Sequence, residues 1–162
     1  MSVKVKFKKL HEAAIIPEYK SSGAAGFDFC AVVEDQSKVI KHKSSIEVTN
    51  SAFLIPPMGQ RIVKTGLSVE IPKGYELQVR PRSGLAFHDR ITITNSPGTI
   101  DSDYRGEIMI ILFNLGENPF IIKTGDRIAQ GVVSAIPNVK IEEVAKLSET
   151  ERGKGGFGST GV

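Results

Sequence analysis

NSPGTIDSDYRGEIMIILFN, the stretch that runs from Asn95 to Asn114, gives the strongest indication of the fold, because a turn-rich half leads directly into an apolar half. Every residue from Ile108 to Phe113 is apolar, which predicts a strand that is buried on both faces. In an antiparallel protein of this size, we expect one face to pack on the core and the other to meet a second subunit. A buried turn of helix would give the same apolar run.

Outside this stretch, helical periodicity is nearly absent, and Gly, Pro, Asn and Asp separate short apolar or alternating runs. Short strands at this spacing predict an all-β sandwich or barrel. Only residues 83–90 look helical, with Ser83 as the expected N-cap. The expected strands are residues 3–8, 53–55, 60–63, 67–71, 76–79, 91–94, 107–114, 120–122 and 127–134.

Composition and charge are those of an ordinary globular chain. Its 162 residues are 40% hydrophobic, which favours one domain with its own core. The net charge of +3 is too small to predict a nucleic-acid surface, and no apolar run is long enough for a membrane span. The single cysteine, Cys30, excludes an intramolecular disulfide, and no secretory signal pattern is seen. We therefore expect a cytoplasmic protein, with an organellar or nuclear location left open.

The C-terminal stretch RGKGGFGSTG, residues 152–161, contains the pattern G-x-G-x-x-G. Only four residues follow Gly158, so the helix that a Rossmann site requires cannot form there. Position excludes a kinase glycine-rich loop, and the ending Gly-Lys-Ser/Thr of a Walker A loop is missing. Arg152 and Lys154 suit phosphate oxygens, the glycine amides suit an anion, and Phe157 suits stacking on a base. A mobile glycine-rich tail would have the same composition.

Two upstream segments also carry candidate chemistry. Asp101 lies at the mouth of an expected hairpin, where a carboxylate can hold an attacking water. A turn aspartate that bonds to its own backbone has the same pattern. The Arg-Ser-Gly sequence at 82–84 suits an anion at a helix start, and it equally suits a capped turn. Asp126 and Arg127 are interpreted as a structural ion pair.

Five short segments follow one another in the chain: AAGFD at 24–28, PRSGLA at 81–86, GTIDSDYRG at 98–106, GDRIAQ at 125–130 and RGKGGFGSTG at 152–161. Together they resemble the ordered motifs of the trimeric deoxyuridine triphosphate nucleotidohydrolase (dUTPase) family. The resemblance implies a jelly-roll-like β protein that forms a homotrimer with shared active sites. It divides the chain into a β domain over 1–147, with a surface excursion at about 31–52, and a flexible arm over 148–162 that closes a neighbour's site.

The resemblance also implies roles for individual residues. Asp101 corresponds to the catalytic aspartate that orients the attacking water, and Tyr104 to the ring under the deoxyribose that leaves no room for a 2′-hydroxyl. Mg²⁺ on the triphosphate is the implied cofactor, with Asp28 near it through water. The remaining substrate contacts correspond to Asn95, Gly98, Thr99, Ile100 and Met109 for the uracil pocket, Arg82, Ser83, Gly84 and Gln130 for the phosphates, and Arg152, Phe157, Gly158 and Ser159 in the arm.

The implied reaction is hydrolysis of dUTP to dUMP and pyrophosphate, which keeps uracil out of DNA and supplies dUMP for thymidylate synthesis. Two alternatives stand beside it. A deoxycytidine triphosphate deaminase would share the fold but needs a dedicated acid and other pocket residues that the sequence does not show. A non-catalytic nucleotide-sensing or protein-binding module would use the excursion as its surface, and the intact Asp101, Tyr104 and arm disfavour it.

Overall fold

Ten strands and one short helix make up the described part of the chain in a computed structural model, which describes residues 3–34, 52–156 and 159. None of the helical structure in these residues has the length and apolar character needed to cross a membrane. The expected all-β fold with one short helix is therefore confirmed. The elements are β1 Lys6–Lys9, β2 Phe27–Cys30, β3 Ala52–Ile55, β4 Gln60–Glu70, β5 Tyr75–Arg80, α1 Ser83–His88, β6 Ile91–Ile93, β7 Gly98–Ile100, β8 Glu107–Asn114, β9 Phe120–Lys123 and β10 Arg127–Ala135.

The strands pair antiparallel in two four-stranded sheets and one two-stranded ribbon. The first sheet has the order β1-β4-β8-β6, the second has the order β2-β10-β5-β7, and β3 pairs with β9 in the ribbon. Because successive side chains of a strand point to opposite faces, each sheet turns one apolar face inward. One core cluster combines Ile110 of the first sheet, Leu77 of the second and Ile122 of the ribbon.

β8 is the predicted apolar strand, but its burial alternates. Ile108, Ile110 and Leu112 are buried, whereas Met109 is 49% exposed. One face therefore packs on the core as expected, and the contact of the other face with a second subunit stays a prediction. The outward face, which β8 shares with Ile62 of β4, is open to solvent there.

β4 is one continuous strand where the sequence pattern predicts two, at residues 60–63 and 67–71. Lys64 pairs with Met109 and Ser68 pairs with Glu107, so a step of four residues in β4 faces a step of two residues in β8. Gly66 has a φ of 64° in this interval, where an added Cβ would lie 3.0 Å from two neighbouring side chains. The polar middle of β4 is therefore a bulge in a continuous strand, not a turn between two strands.

The surface excursion begins later than the predicted residue 31. Ala31 and Val32 are buried, and the backbone N–H of Val32 donates to the carbonyl of Lys64 at 2.8 Å. These two apolar residues extend the core packing of β2 beyond its end, which is why the predicted boundary is too early. The rest of the predicted excursion, residues 35–51, lies outside the described residues.

The β body also ends earlier than predicted. β10 ends at Ala135, and the amide of Ile136 makes the last hydrogen bond to the body, donating to the carbonyl of Gly74 at 2.9 Å. The described residues beyond it form no strand or helix and are almost all exposed. The segment without regular structure therefore begins well before the predicted boundary at 147.

Asn114, at the end of β8, is a fully buried polar side chain that joins three loops. Its amide nitrogen donates to the carbonyls of Ile55 at 3.0 Å and Asn118 at 2.8 Å, and its oxygen accepts the N–H of Gly116 at 2.8 Å. All its polar atoms are therefore satisfied, as a buried amide requires. This network fixes the β3, β8 and β9 ends relative to one another.

Replacing Asn114 by alanine is expected to lower the free energy of unfolding by about 3 kcal/mol, because it leaves buried carbonyl and N–H groups without partners. Denaturant unfolding measures the loss. Asn118→Ala is the matched control, since Asn114 uses only the backbone carbonyl of Asn118. A loss no larger than that of the control would show that the network does not hold the loops.

Candidate active site

A cavity of about 160 Å³ lies between the first half of β8 and the turn that joins β6 to β7, two strands that belong to different sheets. Asp101 and Tyr104 lie in its wall, beside Glu107. The structure thus brings together the residues predicted for the base, the sugar and the attacking water, apart from Phe157 of the arm. Those residues are Asn95, Gly98, Thr99, Ile100, Asp101, Tyr104 and Met109.

The turn between β6 and β7 is shaped by Gly98, which is buried and pairs with Val79 of β5. The expected hairpin is wrong, because β6 pairs with β8 in the other sheet. An added Cβ at Gly98 would lie 3.2 Å from the side-chain nitrogen of Asn95. The missing side chain therefore lets the Asn95 amide sit against the backbone at the cavity wall. The N–H of Thr94 donates to the carbonyl of Ile111 at 3.0 Å and ties the turn to β8.

Asp101 follows β7 and opens a tight turn. The N–H of Tyr104 donates to the carbonyl of Asp101 at 3.2 Å, and the guanidinium of Arg105 donates to the carbonyls of Ser102 at 2.7 Å and Tyr104 at 2.8 Å. Only the backbone carbonyl of Asp101 takes part in these bonds, while its side chain is exposed at the cavity. Arg105 stabilises this turn, a role that sequence reasoning missed although the residue stands next to Tyr104.

The ring of Tyr104 is held by the two residues that follow Arg105. Its hydroxyl donates to the backbone carbonyl of Glu107 at 2.9 Å. An added Cβ at Gly106 would lie 2.4 Å from that hydroxyl oxygen, so only glycine leaves room for the ring. Sequence reasoning missed both contacts, although a glycine two residues after a site tyrosine is a readable signal.

A second group of charged side chains, which we call the arginine cluster, consists of Asp28, Arg82 and Arg127. Asp28 accepts a hydrogen bond from Nε of Arg82 at 2.9 Å on one oxygen and from Nη1 of Arg127 at 3.0 Å on the other. The Asp28 side chain is 17% exposed, so the pairs are largely shielded from water. Two guanidiniums against one carboxylate leave a net positive charge, which suits an anionic group.

The other predicted phosphate contacts lie next to the arginine cluster. Gln130 pairs with Asp28 across the sheet and donates to the carbonyl of Pro81 at 2.8 Å. Ser83 and Gly84 are exposed in the first turn of α1, where backbone N–H groups have no helical partner. The prediction that Ser83 is the N-cap is wrong, because Arg82 already has the extended backbone of a cap and Ser83 is the first helical residue.

The expected ion pair between Asp126 and Arg127 is wrong. Asp126 accepts the backbone N–H of Lys123 at 2.8 Å and closes its own turn. Arg127 instead reaches Asp28, a residue 99 positions away. Only the register of β2 and β10, which places Arg127 opposite Cys30, could have indicated this contact.

Cys30 adjoins the arginine cluster but does not add a nucleophile to it. Burial raises the pKa of its thiol, and the nearby Asp28 carboxylate acts in the same direction. The thiol therefore stays protonated at neutral pH, when it is a weak nucleophile.

Within one chain, Asp101 and Arg82 lie near opposite ends of β5. Ile100 pairs with Leu77, and Arg82 follows Leu77 by five residues, or about 16 Å of extended chain. Asp101 continues from Ile100 in the other direction, because β7 and β5 are antiparallel. Asp101 and the arginine cluster are therefore not brought together by a single chain.

The described part of the arm bonds to itself. Nε of Arg152 donates to the carbonyl of Gly155 at 3.0 Å, and the N–H of Gly155 donates back to the carbonyl of Arg152 at 3.0 Å. The N–H of Ser159 donates to the carbonyl of Gly156 at 3.1 Å. Arg152 and Ser159 are thus not brought to the cavity of their own chain, and the predicted contacts Phe157 and Gly158 lie outside the described residues.

The comparisons with known proteins agree with this geometry. The family model described as dUTPase matches residues 12–161. The deoxyuridine 5′-triphosphate nucleotidohydrolase of Wolinella succinogenes is 53% identical over 98% of this chain and 95% of that protein. The protein of the same name from Treponema denticola is 49% identical over 96% of this chain and 97% of that protein.

A solved structure shares the architecture as well as part of the sequence. It is the dUTPase of Staphylococcus bacteriophage 80alpha with dUPNHPP, which has a TM-score of 0.76 and 26% identity and covers 98% of this chain and 99% of that one. The jelly-roll-like fold that the motifs implied is thereby confirmed. With a family model over most of its length and relatives at about half identity, this chain belongs to the dUTPase family.

Proposed function

We propose that this protein hydrolyses dUTP to dUMP and pyrophosphate, and so keeps uracil out of DNA and supplies dUMP for thymidylate synthesis. One observation carries the proposal: a cavity of about 160 Å³ has Asp101 and Tyr104 in its wall beside the turn between β6 and β7 that carries Asn95. The names of the relatives at about half identity support the same activity.

The cavity suits a single six-membered ring. A protein cavity of about 150 Å³ accommodates benzene, and this one is of similar size. β6 covers only the last residues of β8, so the backbone edge of β8 before Ile111 faces the cavity with N–H and C=O groups. These groups and Asn95 would read the polar edge of uracil, and Met109 would contact its apolar surface. Tyr104 would lie under the deoxyribose.

Asp101 would orient a water molecule for attack on the α-phosphorus. The water oxygen forms a bond to phosphorus as the bond to the bridging oxygen of the β-phosphate breaks, and pyrophosphate leaves. The water proton passes to the Asp101 carboxylate and then to solvent. A positioned base of this kind contributes about 10²- to 10⁴-fold to the rate.

The phosphates would bind at the arginine cluster, because a triphosphate carries about four negative charges. The phosphate oxygens would be held by Arg82, by the amides of Ser83 and Gly84, and by Gln130. No group of three or more acidic, histidine or cysteine ligands occurs in the described residues, and a Mg²⁺ ion that keeps most of its waters does not need one. Both oxygens of Asp28 hold guanidiniums and still have lone pairs for metal-bound water, so the donors fit contact through water. When bound, Mg²⁺ would offset charge on the phosphate oxygens.

We place each complete site between copies of the chain in a homotrimer. Asp101 and Arg82 lie near opposite ends of β5 in one chain, so the cavity of one copy would face the arginine cluster of another. The outward face of β8, with Met109 49% exposed, offers an apolar surface for assembly. Self-association of this surface would bury the second face of the apolar strand.

The arm would close the assembled site from a neighbouring copy. The β body ends at Ala135, and the described arm residues bond to one another, which leaves the arm available to another chain. In the closed state, Arg152 would contact the terminal phosphates and Phe157 would stack over the uracil. Gly158 and Ser159 would add backbone and hydroxyl donors.

Release of pyrophosphate from dUTP, dTTP, dCTP and UTP by the purified protein tests the activity. We expect turnover of dUTP and little of the others. Uridine products from dCTP would indicate a deaminase, and no pyrophosphate from dUTP would indicate a non-catalytic module; either result overturns the proposal.

Asp101→Asn is expected to lower kcat for dUTP by about 10²- to 10⁴-fold, because the amide keeps the shape but cannot accept the water proton. Calorimetry should show that dUTP still binds. Asp103→Asn is the matched control, since Asp103 is exposed in the same turn and does not line the cavity. Equal loss in the control, or equal loss of binding, would assign Asp101 a structural role.

Co-expression of two inactive variants tests whether sites are shared. Chains with Asp101→Asn and chains with Arg82→Ala each keep the part that the other lacks. Random assembly in equal amounts should restore about a quarter of the sites, because half of the chains supply each intact part. Asp101→Asn mixed with Asp101→Ala is the control and should restore none, since neither chain supplies the Asp101 carboxylate. Failure of the first mixture to recover activity would contradict a shared site.

Deletion of residues 151–162 is expected to leave a folded oligomer with little dUTP turnover, because the lid is lost while the sheets remain. Size-exclusion chromatography and pyrophosphate release measure the two properties. Arg152→Ala in the full chain should reproduce much of the loss, whereas Glu149→Ala, upstream of the deleted segment, should not. A deletion that prevents assembly would show that the arm is a structural strap.

A further inference from the structure

The backbone carbonyl of Glu107 fixes the position of the Tyr104 ring. The phenol donates to the Glu107 carbonyl at 2.9 Å, and Gly106 leaves the space that the ring occupies. Because the ring lines the cavity wall, any movement of the start of β8 moves the acceptor that fixes it.

The side chain of Glu107 anchors the start of β8 to β4. Oε1 of Glu107 accepts the backbone N–H of Gly66 at 2.9 Å, across a sequence separation of 41 residues. Gly66 lies in the β4 bulge, where ordinary ladder bonds are interrupted between Lys64 and Ser68. Glu107 therefore supplies an acceptor at the place where the two strands lose their regular pairing.

Gly66 is itself held in place by a hydrogen bond and by close packing. Its carbonyl accepts the N–H of Leu10 at 2.7 Å, and a side chain on it would press on Ala14 and His11. Beside it, the buried hydroxyl of Thr65 donates to the carbonyl of Ile108 at 2.7 Å. Two bonds from the bulge thus hold the first two residues of β8.

We propose that Glu107 is a positioning residue that sets the preference for deoxyribose over ribose: its carboxylate ties the start of β8 to the β4 bulge, and its carbonyl holds the Tyr104 hydroxyl. The proposal rests on the proposed function. Without the carboxylate, Gly66 loses its acceptor and the Glu107 carbonyl is no longer fixed. The Tyr104 ring can then move and make room for a 2′-hydroxyl, and the preference for dUTP over UTP falls.

The chemistry of the contact offers a conservative variant. The donor is a neutral backbone N–H, so the contact needs an oxygen acceptor and no charge. Glu107→Gln keeps such an oxygen and should retain the selectivity, whereas Glu107→Ala removes it. Tyr104→Phe, which cannot donate to the carbonyl, should resemble the alanine variant. Glu70→Ala is the matched control, because that glutamate pairs with Lys6 on β1 and does not line the cavity.

The experiment measures kcat and KM for dUTP and UTP in the wild type and these four variants. We expect the ratio of kcat/KM for dUTP to that for UTP to fall about tenfold in Glu107→Ala and Tyr104→Phe, the effect of one lost hydrogen bond. Glu107→Gln and Glu70→Ala should keep the wild-type ratio.

Two results would overturn the inference. One is an unchanged ratio in Glu107→Ala. The other is an equal loss of activity on both nucleotides, which would mean that Glu107 only stabilises the fold. A wild type that releases no pyrophosphate from dUTP refutes the proposed function instead. Calorimetric binding of dUMP and UMP to the same variants then decides the inference, and an unchanged preference between these ligands overturns it.

Discussion

The pairing of β4 with β8 is the interaction on which the rest of the molecule depends. β8 lies inside the first sheet, with β4 along one edge and β6 along only part of the other. Its inward side chains build the core, its outward side chains stay open, and its uncovered edge lines the cavity. Because β4 carries the bulge at Gly66, the same pairing also fixes where β8 starts, and with it the wall that holds Tyr104.

The second sheet positions the charged side chains of the arginine cluster. Asp28 of β2 gathers Arg82 and Arg127 from the ends of two other elements, so three distant parts of the chain share one ionic contact. Breaking such a partly buried contact would leave charges without partners, which costs more than an exposed pair contributes. The contact thus holds the guanidiniums in fixed positions, which in the proposed function would reduce the ordering that phosphate binding requires.

Local signals in the sequence predicted most of the strands, whereas the cavity residues from Asn95 to Tyr104 were implied by the resemblance to the dUTPase motifs. Turn residues and apolar runs mark where strands begin and end, and the motif residues from Asn95 to Tyr104 are close in sequence as well as in space. The contacts of Arg127 with Asp28 and of Glu107 with Gly66 could not be predicted, since they join residues 99 and 41 positions apart. Burial of the outward face of β8 against a second subunit stays a prediction, because an apolar run does not tell which surface covers each face.

The placement of Asp101 and Arg82 near opposite ends of β5 has a consequence for inheritance. In the proposed assembly, these two residues are neighbours only between copies, so each chain contributes its cavity to one site and its arginine cluster to another. A chain that carries a damaged cavity would therefore still supply an intact arginine cluster to a neighbour. One defective allele would then inactivate only some of the sites of a mixed assembly, while two different defective alleles could partly restore each other.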